Sequence, residues 1–60
     1  MKKTKLEGKV VTITNKDSIW YGAWGIVRGY DDMGFYHVQV YDDSLMPIFE
    51  RNEFKVRKEQ

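Results

Sequence analysis

The sequence predicts a small all-β domain of five antiparallel strands that closes into a barrel. Apolar residues alternate with polar residues at period two, and turn-forming residues interrupt this alternation roughly every eight to twelve residues. β-branched and aromatic residues dominate the segments between the turns. A chain of 60 residues has little length with which to cover strand edges. We therefore expect the sheet to close on itself.

The first two strands are predicted at 9–14 and 23–30. The segment KVVTIT at 9–14 is rich in β-branched residues and places Val11 and Ile13 on one face. The polar segment NKDS at 15–18 indicates a loop. In AWGIVRGY at 23–30 the glycines indicate a close approach of two backbones or a β-bulge.

The third strand is the clearest in the chain. A tight turn is predicted for DDMG at 31–34, where Gly34 can adopt positive φ. The following segment FYHVQVY at 35–41 alternates strictly, with Val38 and Val40 on the inward face.

The last two strands are short. A connection at 42–47 contains Pro47, which cannot donate a ladder hydrogen bond within a central strand. We predict strands at 48–50 and 54–58, separated by a turn at 51–53.

These elements predict one domain over residues 1–60, with an ordered core at about 7–57 and flexible tails. No helix longer than one turn is expected, and Val56 should pair back near the first strand. The predicted core residues share the inward phase of their strands: Val11, Ile13, Val27, Tyr36, Val38, Val40 and Phe54.

Several short motifs resemble those of SH3-like barrels, namely Gly8-x-x-Val11, the aromatic loop after it, Gly22-x-x-Gly25-x-Val27, and a late pattern made by Phe49, Glu53, Phe54 and Val56. Over roughly residues 7–57 the chain is similar to the barrel of the small stromal subunit of photosystem I and to the KOW-type modules of ribosomal and transcription proteins. The resemblance implies a five-stranded SH3-like barrel and a small bacterial or mobile-element protein. Barrels of this class host many unrelated activities, so the resemblance implies no single function.

Composition excludes several classes of protein. The chain contains no Cys, which excludes disulfides, thiolate metal sites and a Cys nucleophile. Ten basic and nine acidic residues give a net charge of +1, which provides no general attraction to nucleic acid. No apolar run approaches the roughly 20 residues that span a membrane, and the basic start lacks the apolar segment of a signal peptide. We expect a cytoplasmic protein with no membrane association and no cofactor.

The polar residues do not suggest a catalytic or metal site. His37, the single histidine, is interpreted as a solvated strand residue, since one His without Cys cannot form a structural zinc site. The pairs Asp31–Asp32 and Asp42–Asp43 lack the spacing of a calcium loop and are interpreted as polar turn formers. No phosphate-binding loop or nucleophile motif is present, so we expect a protein that is not an enzyme.

The segment SIWYGAWGIVRGY at 18–30 is the main candidate for a binding site, because it holds two Trp and two Tyr. A barrel of this size cannot bury all four rings, so at least two should be exposed and adjacent. The expected ligand is a protein or peptide, or a second copy of the chain. The predicted binding residues are Trp20, Tyr21, Trp24 and Tyr30, with Tyr41 at the margin.

The alternative function is nucleic-acid binding of the KOW type. The first and last strands should be neighbours, so the terminal basic residues would converge on one side, away from the Asp31–Asp32 turn, and add phosphate contacts to aromatic stacking. Binding to phosphates would weaken steeply as salt rises, whereas binding to an aromatic peptide groove would not. The predicted basic cluster consists of Lys9, Lys55, Arg57 and Lys58, together with lysines of the N-terminal tail.

Overall fold

A computed structural model describes residues 4–57. Five strands form one antiparallel sheet in the order β4-β3-β2-β1-β5. The prediction of a five-stranded all-β domain is confirmed, and a single 3-10 turn is the longest helical element among these residues. No helix in this range is long and apolar enough to cross a membrane. The elements are β1 Val10–Ile13, β2 Trp24–Tyr30, β3 Tyr36–Val40, β4 Ile48–Phe49, the 3-10 turn Arg51–Glu53 and β5 Phe54–Val56.

The two edges of this sheet are β4 and β5, and the 3-10 turn joins them. Between residues 4 and 57 no strand ladder pairs one edge with the other. Closure of the sheet into a barrel therefore stays a prediction. The flexible tails predicted on either side of 7–57 lie mostly outside the described residues, as does residue 58 of the predicted last strand.

The core consists of apolar side chains from all five strands and from the loop before β2. Six of the seven predicted core residues are buried, and Tyr36 is half-buried against them. Ala23 and Phe49 also belong to the core, although neither was among the predicted core residues. Leu6, from the segment predicted as a tail, packs against this core as well. The buried residues are Val11, Ile13, Ala23, Val27, Val38, Val40, Phe49 and Phe54.

The first and last strands are neighbours, as the sequence predicted. Val11 lies opposite Val56 in the antiparallel β1–β5 pair, and Lys55 lies opposite Thr12. Beyond the last ladder pair, the backbone N–H of Arg57 donates to the carbonyl of Val10 at 2.8 Å. The start of β1 and the end of β5 therefore lie side by side.

Both roles predicted for the glycines of β2 occur. A Cβ atom on Gly25 would lie 2.6 Å from Cγ1 of Val38 and 2.9 Å from the carbonyl oxygen of Gln39, so only glycine permits this strand spacing. Between Val27 and Gly29 the β2–β3 register shifts at a bulge. The bulge places Tyr30 opposite Tyr36, on the core side of the sheet.

The loop between β1 and β2 is fixed to the 3-10 turn through Glu53. The carbonyl of Glu53 accepts hydrogen bonds from the backbone N–H groups of Thr14 and Asn15. Its carboxylate accepts the Asn15 side-chain amide at 2.7 Å and the Glu50 backbone N–H at 2.7 Å. These bonds hold the start of the loop that carries Trp20 and Tyr21.

Candidate binding surface

The aromatic residues of 18–30 divide into two groups. Trp20 and Tyr30 are half-buried: Trp20 packs against the core, and the ring centroid of Tyr30 lies 4.9 Å from that of Tyr36. Tyr21 and Trp24 are exposed, at 57% and 36% of their surface. At least two exposed and adjacent rings were expected in this segment; two rings are exposed, and the adjacency of Tyr21 and Trp24 stays a prediction.

The ring contact of Trp24 is with Tyr41, the residue that the sequence placed at the margin. Their centroids lie 6.0 Å apart at an interplanar angle of 80°, an edge-to-face arrangement. The backbone N–H of Tyr41 donates to the carbonyl of Trp24 at 2.9 Å, which holds the two residues together. An edge-to-face pair contributes about 0.5–1.5 kcal/mol beyond the area that it buries. The two rings therefore form a preformed, partly exposed aromatic pair.

Tyr41 occupies a backbone conformation that an aromatic residue rarely adopts. Its φ is 57° and that of Asp42 is 56°, and the N–H of Asp43 donates to the carbonyl of Val40 at 3.1 Å. This geometry is that of a type I′ turn, in which Asn-Gly is the favoured central pair. A bulky residue at positive φ is strained, and such strain is concentrated at functional positions.

The register extends the aromatic pair into a row across four neighbouring segments. Thr12 in β1 lies opposite Trp24 on one side and opposite Lys55 on the other. Residues directly opposite each other in a sheet point to the same face, so these side chains share the surface away from the core. We call the row of Tyr41, Trp24, Thr12 and Lys55 the outer strip.

The charges at the β5 side of the outer strip are positive. Lys55 is exposed, and Arg57 lies opposite Val10 in the next row of the same face. Within residues 4–57 neither cation takes part in an ion pair. Lys9 precedes Val10 in the chain and is also exposed. Lys58, the fourth predicted basic residue, lies outside the described residues.

The basic residues were predicted to lie away from the Asp31–Asp32 turn, but the strand register does not support this separation. β1 starts opposite Ile26, so its first residues and the end of β5 lie toward the end of the sheet where β2 leads into that turn. Both groups therefore lie toward the same end of the strands and are offset across the sheet.

The charges at the other side of the outer strip are mostly negative. Asp42 and Asp43 directly follow Tyr41, and Arg28 lies 3.7 Å from the Asp42 carboxylate. Gln39 joins this group, because its side-chain oxygen accepts from Arg28 Nε at 2.7 Å and its amide donates to the Asp43 carbonyl at 2.6 Å. Two carboxylates and one guanidinium leave an excess of one negative charge here.

His37 has a side-chain partner that was not predicted from the sequence. It is half-buried, and its Nε2 lies 3.2 Å from Oδ2 of Asp31, so the interpretation as a solvated strand residue was wrong. The other carboxylate oxygen of Asp31 accepts the backbone N–H groups of Met33 and Phe35 at 2.9 and 3.1 Å. The hydrogen bond from Phe35 is the largest influence and holds the pKa of Asp31 below its ordinary value; burial opposes it, and the contacts with His37 and Met33 lower the pKa further.

Asp31 thus acts as a turn former, as predicted, and in addition joins the turn to β3 through His37. Between residues 4 and 57 no three His, Asp or Glu side chains lie close enough together to hold a metal ion.

The resemblance to the photosystem I barrel subunit and to KOW modules depends on short motifs in this chain and remains an expectation. The outer strip is the surface on which a function can be proposed, since it combines an exposed ring pair with cations that have no ion-pair partner among residues 4–57. No protein family matches the chain, and a search of curated proteins finds none that matches its sequence.

Proposed function

We propose that this protein is a binding module without catalytic activity, whose ligand is a protein or peptide segment that contacts the Trp24–Tyr41 ring pair. One observation carries the proposal: a strained turn holds the exposed Tyr41 ring against the exposed Trp24 ring. Folding alone would favour Asn or Gly at position 41 and would bury the indole more completely. An arrangement that costs stability and leaves two rings in contact with water is typical of a ligand site.

The ring pair has the properties of an interface anchor. Trp and Tyr each present a large, rigid surface with few rotatable bonds, and they are enriched among residues that dominate binding energy. The Trp24 backbone lies within a seven-residue strand between two partner strands, so the anchor is held on the most extensively paired element of the sheet. Little conformational entropy is then lost when a ligand covers it.

Tyr21 adds a second exposed ring in the loop before β2. The loop is held at its start by Glu53 and within it by the Ser18 hydroxyl, which accepts the backbone N–H of Trp20 at 3.0 Å. Tyr21 belongs to the proposed site as a neighbouring contact. Trp20 and Tyr30 are half-buried, Trp20 against the core and Tyr30 against Tyr36, so neither is part of the proposed ring pair.

Nucleic-acid binding is the second candidate function. It is favoured by the position of Lys55 and Arg57, which lie on the face of the sheet that carries Trp24 and have no partner ion among residues 4–57. A nucleic acid would stack a base on Trp24 and contact these cations through phosphates. Its affinity would fall with the logarithm of the salt concentration, which provides a direct test.

A display library of random twelve-residue peptides tests the proposed function. Peptides retained by the wild type are passed over the Trp24→Ala variant, and those that this variant does not retain are collected. We expect such a pool to exist and to bind the Ile19→Ala variant normally, since Ile19 is an exposed apolar residue of the β1–β2 loop. Circular dichroism confirms that each variant is folded.

Two results would contradict the proposal of a peptide site. The first is a library in which every retained peptide also binds Trp24→Ala. The second is a wild-type protein that forms dimers in sedimentation measurements while Trp24→Ala is monomeric, which would assign the ring pair to self-association.

A further inference from the structure

We infer that the ligand of the outer strip is an extended protein segment of mixed charge, with an apolar residue on Trp24, an acidic residue at Lys55 and Arg57, and a basic residue at Asp43. This inference rests on the proposed function, because it specifies the chemistry of a ligand for the same site. Two features of the strip lead to this ligand: the order of its charges and the spacing of its strands.

The order of charges is unsymmetrical. Lys55 and Arg57 provide two positive charges on the β5 side, and no described carboxylate pairs with either. On the opposite side the Asp43 carboxylate accepts the adjacent backbone N–H of Ser44 at 2.8 Å and has no ion-pair partner within the described range 4–57, while Asp42 lies near Arg28. The neutral Trp24 and Thr12 lie between the two charged groups. A ligand that matches this surface has opposite charges at its two ends.

The spacing fits an extended chain that crosses the strands. Trp24 and Lys55 are separated by β1, so their backbones lie two strand spacings, about 10 Å, apart. An extended peptide advances about 3.3 Å per residue. Every second side chain of an extended segment faces the same side, so an apolar side chain on Trp24 directs the side chains two and four positions away, about 7 and 13 Å along the segment, toward the same surface and within reach of the flexible Lys55 side chain.

Charge also favours a peptide over a nucleic acid at this face. A single strand of nucleic acid carries a negative charge on every phosphate. If it followed the whole strip, its phosphates would be attracted by Lys55 and repelled by Asp43. A mixed-charge peptide would be attracted electrostatically at both ends of the strip. Like charges placed against each other exclude wrong partners, so the Asp43 carboxylate disfavours a polyanion at this end of the strip.

The test uses the peptide pool that depends on Trp24, selected again on the double variant Lys55→Glu/Arg57→Glu. We expect wild-type sequences to place Asp or Glu two to four positions from an apolar residue, and sequences selected on the double variant to place Lys or Arg there. The control is Lys5→Glu/Lys16→Glu, which changes net charge by the same amount at exposed lysines outside the strip.

The affinity of one labelled peptide for each variant then measures how much the contacts with Lys55 and Arg57 contribute to binding. A fluorescein-labelled synthetic peptide with the wild-type consensus should bind the double variant at least tenfold more weakly in fluorescence anisotropy. It should bind the Lys5→Glu/Lys16→Glu control within twofold of the wild type. Replacing its acidic residues with Lys should restore binding to the double variant. Reversal by this exchange identifies a direct charge contact.

Three outcomes would overturn the inference. Peptides that depend on Trp24 but show no bias in charge, or that bind the double variant as tightly as the wild type, would leave the proposed function intact and refute the assigned chemistry. Labelled oligo(dT) of twelve nucleotides that binds more tightly than any peptide, through Lys55 and Arg57, would assign the strip to nucleic acid. A library without any Trp24-dependent peptide would refute the proposed function as well.

Discussion

The Asp31 carboxylate contacts the His37 ring across the β2–β3 turn, with Oδ2 3.2 Å from Nε2. The same carboxylate accepts two backbone N–H groups within the turn through its other oxygen. One side chain therefore joins the turn to the strand that follows it. This arrangement makes the stability of the hairpin depend on the charge of Asp31.

Acid should weaken the hairpin as Asp31 becomes protonated. The pKa of Asp31 in the folded protein lies below its ordinary value of 3.8, so the folded state favours the carboxylate. The resulting stabilisation is fully present above that ordinary value and is lost as the pH falls through the lower, folded pKa. In urea unfolding, the difference in free energy between the wild type and Asp31→Asn should be largest near neutral pH and should shrink below about pH 4.

Asp31→Ala provides the control for this measurement. Asn keeps an oxygen that can accept the N–H groups of Met33 and Phe35, whereas Ala removes the acceptor altogether. We expect Asp31→Ala to be less stable than Asp31→Asn at every pH. A difference between wild type and Asp31→Asn that stays constant down to pH 2 would contradict the assigned charge contact.

Gly25→Ala should destabilise the protein by about 1–3 kcal/mol, the usual range for overpacking. The added methyl group would lie 2.6 Å from Cγ1 of Val38 and 2.9 Å from the Gln39 carbonyl oxygen, so β2 and β3 would have to separate. Gly22→Asn is the matched control, because Gly22 has φ +87° with open space around it and Asn tolerates positive φ. Thermal unfolding of the two variants tests this, and equal midpoints would argue against the clash.

Val38→Ala should cost about 1–3 kcal/mol, as expected for a buried residue that loses two methyl groups. Val38 is fully buried and lies opposite Val27 at the centre of the sheet. Ile19→Ala, at a residue that is 92% exposed, should change the free energy of unfolding by less than about 0.5 kcal/mol. Similar losses for both variants in urea titrations would show that the core is placed wrongly.

Tyr41→Asn should separate stability from binding. Asn relieves the strain of a bulky residue at φ 57°, while the ring contact with Trp24 is lost, so the two effects oppose each other. We expect the free energy of unfolding to change by less than about 1 kcal/mol in either direction. Affinity for peptides that depend on Trp24 should fall at least tenfold, and unchanged affinity would remove Tyr41 from the site.

The strand pattern could be predicted from the sequence because alternation at period two survives wherever one face is buried. Val38 and Val40 are buried as their phase requires, and β1 pairs with β5 as predicted. Phe49 was missed as a core residue because a strand of two residues has no alternation to detect. Tyr30 was predicted as a binding residue, but the bulge before Gly29 reverses the phase and turns it to the core side; a bulge adds one residue without a distinctive local sequence.

The binding surface was predictable only in part. An abundance of rings in 18–30 correctly indicated that some would be exposed, since the core has too little volume for all of them. The ring pair itself joins Trp24 to a residue seventeen positions later. It depends on a type I′ turn whose central residues are Tyr and Asp, and neither predicts positive φ as Asn-Gly would. The His37–Asp31 contact was missed because it depends on the conformation of the turn.

The antiparallel pairing of β1 with β5 determines how the protein responds to mechanical tension. Val11 and Val56 lie opposite each other where β1 begins and β5 ends, so a force that pulls residues 4 and 57 apart acts on the same end of the ladder. Its hydrogen bonds then break one after another, as in a zipper, and never share the load. We expect the last strand to peel away first and to expose Phe54, whereas β3 and the Trp24–Tyr41 contact lie outside the path of the force.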